Sequence, residues 1–167
     1  NFSGGFQAAS HLIEKGCRRI AFLGDFNSGE AKFRFDGYCQ ALQKNGIAVH
    51  PELFIQSPYT PLEAQQAMHA FCEKGIQIDG LFAASDLIAI NAMGVLNARG
   101  FKVPDDIAVV GYDDVDAARH SFPPLSTVRQ SLDLASRALL ESLQEVMRGG
   151  KPASRQLSSE LVVRAST

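Results

Sequence analysis

Short, nearly continuous apolar runs alternate with amphipathic helical stripes along most of this chain, and few folds accommodate that order. The runs are Ile20-Ala21-Phe22-Leu23, Leu53-Phe54-Ile55, Leu81-Phe82-Ala83 and Ile107-Ala108-Val109-Val110, with later extended pieces at 125–129 and 157–164. Runs of this kind, rather than alternating ones, belong to strands buried on both faces of a parallel sheet. Between them lie five helical stripes at 3.6-residue spacing: Ala9, Leu12 and Ile13; Phe35, Tyr38, Cys39 and Leu42; Ala64, Ala67, Met68 and Phe71; Ala89, Ala92, Met93 and Leu96; and Leu132, Ala135, Leu139, Leu143 and Val146. Gly16, Gly46, Gly75, Gly100 and Gly149 follow the five stripes in turn, each where a helix would end on a left-handed residue. Thr60-Pro61-Leu62-Glu63 has the form of a capping box, and Ser85 stands at an N-cap position before the fourth helix. The fold class expected is α/β, an open, doubly wound parallel sheet.

The chain opens on a helix with no strand before it, and residues 113–125 read as an irregular, proline-rich passage. Both features suggest one lobe of a larger two-lobe unit. The helix at 131–148 is then expected to cover a partner lobe, because a globular domain does not leave such an apolar stripe bare. Composition narrows the function. Sixteen basic against eighteen acidic residues give a net charge of −2, whereas nucleic-acid-binding surfaces are usually basic. No apolar run approaches the roughly 20 residues of a membrane span, and no secretory signal is visible, so no membrane partner is expected. Three cysteines without a CxxC spacing read as reduced thiols of a cytoplasmic protein, not as a disulfide framework or zinc site.

Ligands of open α/β sheets bind beyond the carboxyl ends of the strands. Here those ends carry Asp25, Asn27 and Ser28, then Gln56, Ser57 and Tyr59, then Ser85 and Asp86, then Tyr112, Asp113 and Asp114, with Arg34 a turn or so into the second helix. Carboxylates accept sugar hydroxyls in pairs, arginine donates from a planar fork, and an aromatic such as Tyr59 covers the apolar face of a sugar or stacks on a base. Simpler readings compete. Asp86 charges a helix start, Ser85 caps it, Arg34 sits at the surface, and Tyr59 edges the core. Asp113 and Asp114 are harder to assign to packing. Asp25, Asp86 and Asp113 offer hard oxygen ligands for Mg²⁺, but there is no GxxxxGK[ST] or GxGxxG loop. No serine lies between glycines after a strand, and none of the four histidines stands at a strand end. The reading is a binding protein, not an enzyme, with no metal and no cofactor.

Several segments resemble the effector-binding domain of the LacI/GalR family of bacterial transcription repressors. They are Gly16-Cys17-Arg18-Arg19-Ile20-Ala21, Arg34-Phe35-Asp36-Gly37-Tyr38, Ala84-Ser85-Asp86 with Ala89-Ile90, the block Val103-Pro104-Asp105-Asp106-Ile107-Ala108-Val109-Val110-Gly111-Tyr112-Asp113-Asp114, Pro123-Pro124-Leu125-Ser126-Thr127-Val128-Arg129-Gln130, and the tail Leu161-Val162-Val163-Arg164-Ala165-Ser166-Thr167. Cys17 replaces the usual histidine and Ala165 a common glutamate. The resemblance covers essentially the whole chain and implies a type I periplasmic-binding-protein-like fold of two lobes joined by three crossovers. Residues 1–125 would be the C-terminal lobe, 126–156 a crossover and helix belonging to the N-terminal lobe, and 157–167 the return strand and tail. It further implies a ligand-clamping Arg34, a hydroxyl-accepting Asp113, a stacking Tyr59, Ser85 where sugar binders often have asparagine, and Gln130 as a further pocket residue. The effector would be a sugar or related metabolite. It would act allosterically on a homodimer, with seams near 62–71, 88–96 and 117–122, that meets operator DNA through a helix-turn-helix outside this chain. A solute-binding protein of a sugar transporter is the alternative; a signal peptide would mark it, and three unpaired cysteines weigh against it.

Overall fold

The computed structural model describes residues 1–27, 29–58 and 60–167. Helix α1 (Phe2–Glu14) leads into β1 (Ile20–Gly24), α2 (Gly29–Lys44), a 3-10 turn (Pro51–Leu53), β2 (Phe54–Gln56), α3 (Pro61–Glu73), β3 (Gly80–Ala83), α4 (Asp86–Ala98), β4 (Ala108–Asp113), α5 (Asp116–His120), β5 (Ser126–Gln130), α6 (Leu132–Met147) and β6 (Ser159–Val162). The strands form one sheet in the order β2-β1-β3-β4-β5-β6. All pairings are parallel except β5 with β6, where Val128 faces Leu161 in antiparallel register. The expected doubly wound sheet is present and ends on this antiparallel edge strand.

The apolar runs are strands for the reason inferred: every residue of β1 and β3, and all of β4 but Asp113, is buried. Helices α1 and α2 pack together on one face, α3 and α4 on the other. Beneath α2 the ring of Phe22 meets Phe35 edge-on and Tyr38 at a tilt, Phe54 meets Phe35 edge-on, Phe35 stacks on Tyr38, and the Tyr38 hydroxyl donates to the Ile20 carbonyl at 2.7 Å. An aromatic cluster of this kind contributes beyond its buried area; truncating Phe22 to alanine costs about 3–5 kcal/mol.

Helix boundaries follow local chemistry. All five glycine stops have positive φ, between 68° and 99°. Thr60 caps α3, its hydroxyl oxygen accepting from the Glu63 amide at 3.4 Å. Two details differ from expectation. Leu53 belongs to the 3-10 turn, so β2 begins at Phe54. The passage after β4 contains α5, a helix of five residues, too short for a periodic stripe to reveal.

Helices α1 and α2 approach closely because glycines face each other's backbones. A Cβ built on Gly5 would stand 2.0 Å from the Arg34 carbonyl oxygen, and one on Gly37 would stand 2.1 Å from that of Phe2. Helix α6 is different: none of its residues is buried, with Leu139 72% and Leu143 55% exposed. The last residues are sewn beneath the sheet. Fully buried Ser166 donates its amide to the Pro124 carbonyl at 3.0 Å and its hydroxyl to that of Val109 at 2.6 Å, and it receives the Ser126 amide at 2.7 Å and the Val109 amide at 2.8 Å.

Candidate functional site

The chain leaves β1 toward β2 on one side and later returns to β3 on the other, which makes the carboxyl ends of β1 and β3 the switch point at which open α/β sheets bind ligands. Arg34 reaches this switch point and is only 2% exposed. Its Nε donates to Asn1 Oδ1 at 2.9 Å, and its Nη1 to the Ala84 carbonyl just past β3. Its Nη2 lies 3.5 Å from Asp113 Oδ1 and 3.9 Å from Glu30 Oε2, and its Cζ sits 3.7 Å from the centre of the Tyr112 ring. One face and all three nitrogens of the guanidinium therefore have a neighbour, which fixes its orientation before any ligand arrives.

Asp113 Oδ1 also accepts from Gln130 Nε2 at 2.7 Å. Arg34, Asp113 and Gln130, drawn from α2, β4 and β5, thus form one cluster. Burial pushes the Asp113 carboxyl up from its ordinary range, against the pull of Arg34 and the Gln130 hydrogen bond. Its side chain is 32% exposed, and Oδ2 has no hydrogen-bond partner among the described residues. Ser85 follows the carbonyl that receives Arg34 and occupies the N-cap position of α4, yet its hydroxyl makes no capping bond. Capping therefore does not account for it. Tyr59 lies outside the described residues.

The other strand-end acids are committed elsewhere. Asp86, fully buried at the first turn of α4, accepts the Thr127 hydroxyl at 2.6 Å and the Val115 amide at 2.8 Å. Burial pushes it up to about 6, with those two hydrogen bonds opposing. Asp25 accepts from Gln56 at 2.7 Å. Asp114 turns away from Asp113: Arg129 Nε donates to its Oδ2 at 2.6 Å, Arg164 to its Oδ1, and Arg119 lies 3.7 Å off. Burial raises its carboxyl, but the two arginine hydrogen bonds outweigh this and hold it below the usual carboxylate range. Asp114 is thus a packing residue after all, because arginines distant in sequence converge on it. Among the described residues no group of three or more His, Cys, Asp or Glu is arranged to hold a metal ion. Burial lifts the Cys17 and Cys39 thiols to about 11, which leaves them protonated and inert. Asn1 and Tyr112 hold the arginine but carried no sequence signal as partners; only the proximity of Tyr112 to Asp113 hinted at its place.

Residues 9–167 match the periplasmic binding protein-like domain. The chain belongs to that family. Within it, the relatives are LacI-type transcription regulators, as the motifs implied. The chain is 37% identical over 169 residues to the HTH-type transcriptional regulator CelR of Thermobifida fusca, covering 99% of this chain and 50% of that protein. It is 31% identical over 172 residues to the HTH-type transcriptional repressor PurR of Haemophilus influenzae, covering 99% and 51%. The chain spans about half the length of the curated relatives it matches. Among solved structures, a transcriptional regulator CelR–cellobiose complex superposes with a TM-score of 0.94 at 36% identity, covering 99% of this chain and 52% of that one. A sugar-binding regulator of the LacI family from Escherichia coli, complexed with phosphate, gives 0.91 at 31%, covering 99% and 60%. In this family-level frame the doubly wound sheet is that of a periplasmic-binding-protein-like domain. The relatives named above are transcription regulators, and among the described residues no helix is long and apolar enough to cross a membrane.

Proposed function

We propose that this chain is the effector-sensing part of a cytoplasmic, homodimeric, DNA-binding repressor and binds a sugar or related small metabolite. The observation that supports this most is the cluster of Arg34, Asp113 and Gln130 at the sheet's switch point, with an accepting Asp113 oxygen left over. Asp113 would accept a ligand hydroxyl, Arg34 and Gln130 would orient the ligand, Ser85 would offer its uncommitted hydroxyl, and Tyr59 would cover an apolar face. Residues 1–125 with the return strand would form one jaw. The segment 126–156 would belong to the other, which would explain why α6 carries an apolar stripe and buries none of it. The domain seams would lie near 62–71, 88–96 and 117–122. Ligand would act by favouring one inter-lobe angle, and only to the extent that it binds the two angles unequally.

The test is made on the full-length regulator. A thermal-shift panel of sugars, sugar acids, sugar phosphates and nucleobases should yield a stabilising ligand, since one present at a hundred times its Kd adds about 2.7 kcal/mol. Asp113→Ala should then weaken that ligand about 10- to 100-fold, the worth of a hydrogen bond to a charged group, while operator affinity without ligand stays as it was. A ligand-response curve identical in Arg34→Ala, Asp113→Ala and wild type would remove this assignment.

A further inference from the structure

Given that reading of the site, its charges say something about the ligand. The Arg34 guanidinium is the cation of the Arg34–Asp113–Gln130 cluster, and it already has anionic neighbours. Two of its nitrogens are directed to Asn1 and the Ala84 carbonyl, and its face is covered by Tyr112. The remaining nitrogen points at two carboxylates, Asp113 at 3.5 Å and Glu30 at 3.9 Å. The guanidinium is buried and the Asp113 side chain only 32% exposed, so this pair interacts more strongly than it would in water and leaves the guanidinium less attraction for a second anion, whereas Glu30, 73% exposed, adds a smaller share. A phosphate or carboxylate group brought to Arg34 would also meet the charge of Asp113, whose Oδ2 has no hydrogen-bond partner among the described residues. Like charges so placed oppose binding. A hydroxyl meets the same oxygen as a donor, and its own oxygen lies open to a remaining N–H of Arg34 or Gln130.

We infer that this site selects uncharged, hydroxyl-rich ligands and rejects anionic ones, and that Asp113 enforces the rejection by cancelling the charge of Arg34. Asp113 is then a specificity residue as well as a hydrogen-bond acceptor. Asp113→Asn keeps an oxygen for Gln130 and leaves the guanidinium uncompensated, so it converts the cluster into an anion site. Glu30 is 73% exposed, so Glu30→Gln leaves the fold intact and should move preference in the same direction by a smaller step.

Calorimetric titration of the full-length regulator at fixed ionic strength tests this with matched probes: neutral hexoses and cellobiose, the corresponding 6-phosphates and aldonic or uronic acids, and inorganic phosphate alone. Wild type should bind a neutral member at least tenfold tighter than its charged counterpart and show no heat with inorganic phosphate. Asp113→Asn should lose affinity for the neutral ligand and gain measurable phosphate binding, with Glu30→Gln intermediate. A charged member binding wild type as tightly as its neutral counterpart, and weakened in Arg34→Gln, overturns the inference and leaves the site reading standing. A neutral ligand whose affinity neither Asp113→Asn nor Arg34→Gln alters overturns both. So does a wild type that binds no probe together with an Asp113→Asn protein that gains no phosphate. Phosphate binding gained by Asp113→Asn supports the charge argument even where the preferred neutral ligand is outside the panel.

Discussion

Asp113 and Asp114 are adjacent and chemically identical, and the backbone sends them to unrelated tasks. Both have positive φ, 110° and 57°, conformations that cost a non-glycine residue about 1–3 kcal/mol unless neighbours hold them. The holding groups are Arg34 and Gln130 on one side and the arginine cluster on the other. Asp114 is thus a stability residue. Asp114→Ala strands Arg129 and Arg164 and should lower the free energy of unfolding by about 1–3 kcal/mol, less than for a wholly buried pair because Arg129 is partly in water; the shift in urea midpoint measures it. Its contribution is present above the ordinary carboxylate range and fades as the pH falls through its depressed pKa. Asp86 acts in the opposite sense. Its carboxyl rises from 3.8 to about 6 on folding, so the unfolded chain gives up that proton first. Stability therefore declines as the pH climbs from about 4 to about 6, by up to about 3 kcal/mol for a shift of that size. Urea melts of Asp86→Asn across this window should show a shallower decline than wild type; an equal slope would mean that another group supplies it.

Among the helices, the α1–α2 contact connects packing to the candidate site most directly, because the backbone that Gly5 touches is that of Arg34. A methyl group at Gly5 or Gly37 has nowhere to go except by separating the helices, since what it meets is backbone and not a yielding side chain. Gly37→Ala is expected to destabilise by about 1–3 kcal/mol, the usual penalty of overpacking, and to weaken ligand binding by moving Arg34 away from Asn1 and Ala84. Chemical denaturation and ligand titration on the same sample separate the two effects. Helix α6 predicts the reverse pattern. Leu139→Ser should change the stability of the isolated 167-residue chain by less than about 0.5 kcal/mol, as surface positions do, and should destabilise the full-length regulator if α6 lies against the other jaw.

For the molecule as a whole, the sheet was readable because the central strands β1, β3 and β4 write themselves as unbroken apolar runs and every helix but α5 closes on a glycine. What stayed hidden was whatever depends on partners distant in sequence. Nothing in Asp114 announces Arg164, no local pattern marks the antiparallel sense of β6, and the five residues of α5 fall below any periodic signal. The candidate site divides the same way. Arg34 and Asp113 stand out as charges near strand ends, whereas Asn1 and Tyr112, which orient the arginine, are ordinary residues until the fold brings them beside it. Ser166 carries a consequence for biosynthesis. Its bonds reach back to Val109, Pro124 and Ser126. On a ribosome the amides of Val109 and Ser126 and the carbonyls of Val109 and Pro124, at the starts of β4 and β5, therefore lack these partners until Ser166 has cleared the exit tunnel. A nascent chain stalled before Ser166 should bind chaperones and yield to proteases near residue 126, whereas one stalled well downstream should resist them.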